Sequence, residues 1–332
     1  TDTGGSGLSS VVFTGTTSAS KTVTSNGSVS ATVTDKAGNS NTCSVNVTKI
    51  DTTSPTCTIT GNPTSYTKNN VTLTVSGTDS QSGVASYSWD GTNYSSTQTK
   101  AISANGTYTA YVKDKVGRIQ SCSASVTKID KTAPKVTFGT NGNSTYAKSQ
   151  STKVTVTDNL SGTNTLKYQW TTSTTAPAAS TFTTSFTNGS TITKSEGTGS
   201  YYLWILATDN AGNQIITRSN VFNLDNTAPT CTNSGDSTTW TTGNRTITWG
   251  CSDTLSGCKT GYTGGSQTYT TSTKTATIAS YTISDNAGNT TTCAQRAANV
   301  YVDKSTLTCT NSGDSTTWTT GNRTISWGGT SY

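Results

Sequence analysis

The chain has 332 residues, of which 29% are hydrophobic and 11% charged, and Thr, Ser, Gly and Asn fill most of the remainder. That balance excludes a Leu/Ala/Glu/Lys-rich helical protein, while seven Trp, fourteen Tyr and short alternating apolar runs exclude a disordered one. The formal charge of +6 comes from Lys and Arg scattered singly, which argues against nucleic-acid binding, and no run in this segment approaches the ~20 apolar residues of a membrane span.

From the N-terminus, an Asp-x-x-x-Ser-Gly turn at Asp2 comes first. Val29, Ala31 and Val33 then alternate as one face of a strand before Asp35-Lys-Ala-Gly-Asn39, and Cys43 lies eight residues past Asp35. A linker KIDTTSP runs from Lys49 to Pro55, with Cys57 behind it. Val71, Leu73 and Val75 form the next alternating strand, followed by Asp79-x-x-Ser-Gly and, about ten residues on, Trp89. Tyr108, Ala110 and Val112 precede DKVGR from Asp114, and Cys122 follows. The order then repeats: linker KIDKTAP from Lys128, Ser-Gly turn at Asp158, Trp170, strand Leu203, Ile205 and Ala207, and DNAGN from Asp209. It repeats again from NLDNTAP at Asn223, through Cys231, the strand Ile247, Trp249 and Cys251, the turn at Asp253, Cys258, the strand Ala279, Tyr281 and Ile283, DNAGN from Asp285, and Cys293. A decayed linker YVDKSTL starts at Tyr301, and the twenty residues from Cys231 to Gly250 return at Cys309 to Gly328 with only Thr248 changed, to Ser326.

Linker aspartates at 51, 130, 225 and 303 give spacings of 79, 95 and 78 residues, each room for about seven short strands. The predicted fold is therefore all-β: tandem immunoglobulin-like β-sandwich modules in a beads-on-a-string array. Residues 1–50 carry the later strands of a partial module, 51–129 a full module, 130–224 a module with an insertion around Thr171 to Thr187, and 225–302 a further module. Residues 303–332 supply first strands complementary to 1–50, the two ends together making one 80-residue period. Two continuations follow: a longer tandem polypeptide, or copies that complete one another by strand donation. The opening lies in a loop between ordinary covalent linkers, which favours the first.

The ordered recurrence of Asp-x-Thr-Ala-Pro, Asp-x-x-Ser-Gly and Asp-x-Ala-Gly-Asn over the whole chain resembles the bacterial immunoglobulin-like repeats of large surface proteins and adhesins. The resemblance implies a cell-surface stalk, filament, spacer or adhesive array, sometimes stiffened by calcium at its joints. The longer third repeat, the decayed linker and Arg118 in place of the motif Asn depart from the pattern.

Eight Cys without any His point to an oxidising, extracellular or secreted setting rather than to zinc. Repeat position pairs Cys57 with Cys122 and Cys231 with Cys293, lets Cys251 and Cys258 close one loop, and leaves Cys43 and Cys309 to pair across the divided module or between subunits. Twelve of the fifteen Asp lie on the repeating motifs. In an immunoglobulin-like sandwich the first-strand start, the B–C loop and the F–G loop share one pole. That groups Asp51, Asp79 and Asp114; Asp130, Asp158 and Asp209; Asp225, Asp253 and Asp285; and, across the break, Asp303, Asp2 and Asp35. Three carboxylates could hold Ca²⁺, and turn chemistry with Lys36, Lys115 or Lys131 as counter-charge accounts for the same residues. With no His, one Glu and no Ser-nucleophile motif, the chain reads as a non-enzyme. Its expected partners are neighbouring copies or the continuation of the same chain, end to end, with a host protein or glycan as the adhesive alternative. A spacer in a secreted enzyme or phage fibre is the third reading.

Overall fold

The computed structural model describes residues 3, 5–14, 19–313 and 315–330. Strands dominate it, and the one helical turn among the described residues spans Ala179–Thr181. Contacts gather the chain into two compact units. One is Thr1–Pro134 with Asp158–Asn164 and Thr208–Gln214; the other is Lys135–Thr157, Thr165–Ala207 and Ile215–Tyr332.

In the first unit β1 (Leu8–Phe13), β2 (Gly27–Asp35) and β3 (Ser40–Val47) form an antiparallel sheet in the order β1-β2-β3, with Ala31 opposite Cys43. Next come β4 (Thr58–Thr60), β5 (Val71–Ser76), β6 (Val84–Ser88), β7 (Thr99–Ile102), β8 (Gly106–Asp114) and β9 (Ile119–Val126). They make two sheets, β4-β5-β7 and β6-β8-β9. Period-two alternation puts Leu73 and Val75 of one sheet and Ala110 and Val112 of the other at essentially zero exposure, with Trp89 packed against both halves of this core. The predicted aromatic core position of Trp89 is where the structure has it.

The second unit begins with β10 (Lys135–Phe138), β11 (Asn143–Ala147), β12 (Gln150–Thr157), β13 (Thr163–Thr171), β14 (Thr184–Ser185), β15 (Thr191–Lys194), β16 (Gly199–Asp209), β17 (Gln214–Arg218) and β18 (Phe222–Leu224). Sheet β10-β12-β15 faces the larger sheet β11-β18-β16-β13-β14 across Val154, Val156, Ile192, Leu203, Ile205 and Ala207. Trp170 packs edge-on against Phe222, ring centroids 5.4 Å apart. The inserted segment does not stand out as a display loop. Its Phe182 is buried with Trp204 and Leu206 on the opposite face of β16, and the Trp204 indole donates to Ser173 O at 3.3 Å. Strand β16 is thus buried on both faces.

Beyond it lie β19 (Thr230–Ser234), β20 (Arg245–Ser252), β21 (Gly264–Tyr269), β22 (Thr273–Ile278), β23 (Tyr281–Ser284), β24 (Thr290–Cys293) and β25 (Arg296–Val302), closing on Ile247, Ile278, Ala298, Val300 and Val302. One expected core position is wrong. The strand expected through Ala279 breaks there into β22 and β23, which pair with different partners, so Ala279 is exposed and Ile278 takes the inward place. The chain ends in the hairpin β26 (Thr308–Ser312) and β27 (Ser326–Thr330), Cys309 opposite Gly329.

One device recurs in front of the linkers. The segment ahead of three of the four linker Asp runs parallel to an early part of its own repeat: Asp130 N donates to Thr67 O at 2.9 Å, Asp225 N to Ala147 O at 3.0 Å, and Asp303 N to Thr241 O at 3.0 Å. Backbone pairing therefore fixes each of these Asp before its side chain acts.

Candidate functional site

Three triads of aspartates form: Asp51, Asp79 and Asp114; Asp130, Asp158 and Asp209; Asp225, Asp253 and Asp285. Within each, one oxygen per carboxylate lies within 4.8 Å of the others. Asp2 of the fourth expected group lies outside the described residues. Asp35 accepts hydrogen bonds from Asn39 in its own loop, and Asp303 accepts them from Ser305 and from Ser272.

The motifs assemble the triads by a shared plan. The linker Asp accepts the N–H two residues on: Thr53 on Asp51 at 2.9 Å, Thr132 on Asp130 at 3.0 Å, Thr227 on Asp225 at 3.0 Å. Its other oxygen accepts the Ser N–H of the Ser-Gly turn, from Ser82, Ser161 and Ser256 at 2.9 to 3.2 Å. The turn Asp accepts the following Gly N–H, as Asp253 does from Gly257 at 2.7 Å. That Gly must be Gly, for Gly83, Gly162 and Gly257 have φ of 75 to 79°. The third Asp, at the end of the long strand, accepts the backbone N–H four residues later: Asp114 from Arg118, Asp209 from Asn213, Asp285 from Asn289.

Here a residue that the sequence marked only as motif acquires a role. The Asn213 carboxamide donates to Asp209 Oδ2 at 2.7 Å and to Asp130 O at 2.9 Å; Asn289 does the same for Asp285 and Asp225 at the same distances. Arg118 stands in that position in the first triad. Its guanidinium reaches Asp51 O at 3.0 Å but gives nothing to Asp114, whose Oδ2 is buried without a hydrogen-bond partner. Asp158 Oδ1 is likewise buried and unpartnered.

Five of these carboxylates, Asp114, Asp130, Asp209, Asp225 and Asp285, are at most 2% exposed. Among the described residues the one ion pair is Arg296 with Asp236, so no Lys or Arg neutralises a triad. Among the described residues Lys115 and Lys131 make no ion pair with a triad, Lys131 Nζ instead bonding Asn70 Oδ1 at 2.7 Å, and the Asp2 expected to face Lys36 lies outside them. Hydrogen bonds favour the ionised form of Asp51, Asp79 and Asp130. Ser82 and then Thr53 hold the Asp51 carboxyl below its ordinary 3.8, the Gly83 N–H does so for Asp79, and at Asp130 the bonds from Ser161 and Thr132 outweigh burial, which pushes upward. Three close anionic groups, two of the triads with an orphaned oxygen, match a hard cation that takes six to eight oxygens.

The structure joins Cys57 to Cys122, Cys231 to Cys293 and Cys251 to Cys258, enclosing sequence separations of 65, 62 and 7. Cys43 and Cys309 are free and exposed. No helix among the described residues is long and apolar enough to cross a membrane.

No protein-family model matches the chain, and comparison with curated proteins finds no match. Solved structures similar to it include the Clostridium thermocellum CbhA fibronectin(III)-like modules, at 12% identity and TM-score 0.23, over 50% of this chain and 93% of that one. Protocadherin Gamma B2 extracellular cadherin domains 3–6 match at 14% and 0.31, over 82% and 83%. The human Desmocollin-1 ectodomain matches at 12% and 0.26, over 83% and 65%.

Proposed function

We propose that this chain is the structural repeat region of an extracellular, non-enzymatic stalk or filament, in which immunoglobulin-like modules joined end to end are braced by disulfides and by Ca²⁺ at their Asp poles. Three disulfides support an oxidising location. Several modules on one plan suit a part whose task is length. An adhesive reading needs a specialised face, and the segment best placed to supply one, the insertion of the third repeat, is folded down onto β16 through Phe182.

The observation that carries the calcium reading is the clustering of three carboxylates per pole with no ion pair to any of them among the described residues. Buried like charges without a counter-ion are costly, and a divalent cation removes the cost. Asp51, Asp79 and Asp114 would hold one ion, Asp130, Asp158 and Asp209 a second, Asp225, Asp253 and Asp285 a third. The ion would cross-link the linker to two loops, so that its loss loosens the joint rather than the sandwich core.

Thermal unfolding of the chelator-treated chain against a Ca²⁺ series tests this. Binding to the folded state alone adds about 2.7 kcal/mol per site at a hundredfold excess over Kd, and the melting temperature should climb with calcium accordingly. Asp209→Asn should remove one site from a calorimetric titration. A melting temperature indifferent to both chelator and Ca²⁺ overturns the reading.

A further inference from the structure

The turn that closes each pole is spelled in two ways. It reads DKVGR from Asp114 but DNAGN from Asp209 and from Asp285, so Lys115 and Arg118 stand in the first pole where the other two have Asn. At the second and third poles all four carboxamides are tied to the site. Asn210 and Asn286 donate to Ser161 O and Ser256 O at 2.7 and 2.8 Å, while Asn213 and Asn289 each hold the third Asp and the carbonyl of the linker Asp. A carboxamide makes these bonds without bringing charge.

At the first pole both positions carry a cation. Lys115 N donates to Gly83 O at 3.1 Å, and Lys115 Nζ lies 3.6 Å from where a Cβ on Gly83 would stand. The amide nitrogens of Asn210 and Asn286 take that place beside Gly162 and Gly257, at 3.6 and 3.5 Å. The Arg118 guanidinium occupies the carbonyl of Asp51. Neither cation forms an ion pair with a carboxylate, so both charges stay at the rim of the triad. Arg118 also has no carboxamide to offer Asp114, which is 1% exposed and whose Oδ2 finds no partner. That oxygen remains open to an ion but is held by nothing.

Charge count and rigidity of the ligands set the affinity of a calcium site, and the first pole is poorer in both. A unit cation ~8 Å from a divalent ion weakens its binding about fivefold even at the permittivity of water, so two give about tenfold or more. The free oxygen of Asp114 does not offset this, because it adds no charge.

We propose that the three poles are unequal calcium sites: those at Asp130 and Asp225 fill first, and the one at Asp51, flanked by Lys115 and Arg118, fills only at about tenfold higher concentration or more. The inference rests on the calcium reading and ranks its sites. Over that interval calcium braces the linkers at Asp130 and Asp225 while the linker at Asp51 is left to its own hydrogen bonds.

Calorimetric titration of Ca²⁺ into the chelator-treated full chain tests the ranking. The expected isotherm has two steps, two ions bound tightly and a third about tenfold or more weaker. Asp114→Asn should delete the weak step, and Asp158→Asn should delete one tight equivalent. Lys115 and Arg118 are both exposed. Lys115→Asn combined with Arg118→Asn should bring the third ion into the tight class, whereas Lys115→Arg combined with Arg118→Lys, which keeps both charges, should leave it weak. Three equal sites, a weak step that survives Asp114→Asn, or a double-Asn chain that still binds in two steps overturns the ranking and leaves the calcium reading standing. A chain that takes up no Ca²⁺ overturns both.

Discussion

Asn213 and Asn289 each tie two chain segments with one carboxamide, holding a buried carboxylate oxygen and the carbonyl of a linker aspartate. Asn289→Ala strands both partners, and an unmet buried acceptor costs about 1–3 kcal/mol, so equilibrium denaturation should show a loss of that size. Arg118→Asn should act in the opposite direction, by about 1 kcal/mol, because it supplies the donor that Asp114 Oδ2 lacks. The same residues set the acid response. Asp51, Asp79 and Asp130 titrate lower in the fold than their ordinary 3.8, so the stability they add is complete above that value and is lost as pH falls below it. Melting temperature should therefore hold level from neutrality to about pH 4 and drop beneath it. The convergence of nine aspartates is legible in the sequence because three motifs recur in fixed order. The Asn bridge is not, since a carboxamide four residues past an Asp reads equally as a turn former; only the exchange to Arg118 hinted that the position had work beyond the turn.

Among the elements, β16 shows where a pattern reading stops. Leu203, Ile205 and Ala207 satisfy the alternation of a one-sided strand and are buried as expected, yet Trp204 and Leu206 between them are buried too. The continuous run from Tyr202 to Ala207 was the signal, for a strand covered on both faces has no polar alternate. Its cover comes from the insertion, and Phe182→Ala should cost about 3–5 kcal/mol, measured by denaturant unfolding of the whole chain. If Phe182 were an exposed binding residue, the change would leave stability untouched. Alternation failed differently at Ala279. The residues keep the period of two, but the chain changes sheets between β22 and β23, and a register shift of one sends Ile278 inward.

At the scale of the whole molecule, the modular all-β plan was written in the repeats. The bracing is also uneven. Cys57–Cys122 and Cys231–Cys293 enclose most of their repeats, while no cysteine lies between Cys122 and Cys231. Pulled from its ends, such a chain meets three kinds of mechanical element. Segments inside a disulfide loop cannot lengthen whatever becomes of their hydrogen bonds, and the parallel pairings that precede Asp130, Asp225 and Asp303 are loaded in shear. Of the three full repeats, the one at 130–224 alone can pay out its whole contour, about 310–340 Å at ~3.3–3.6 Å per residue. Under tension it is the extensible member between two stapled neighbours.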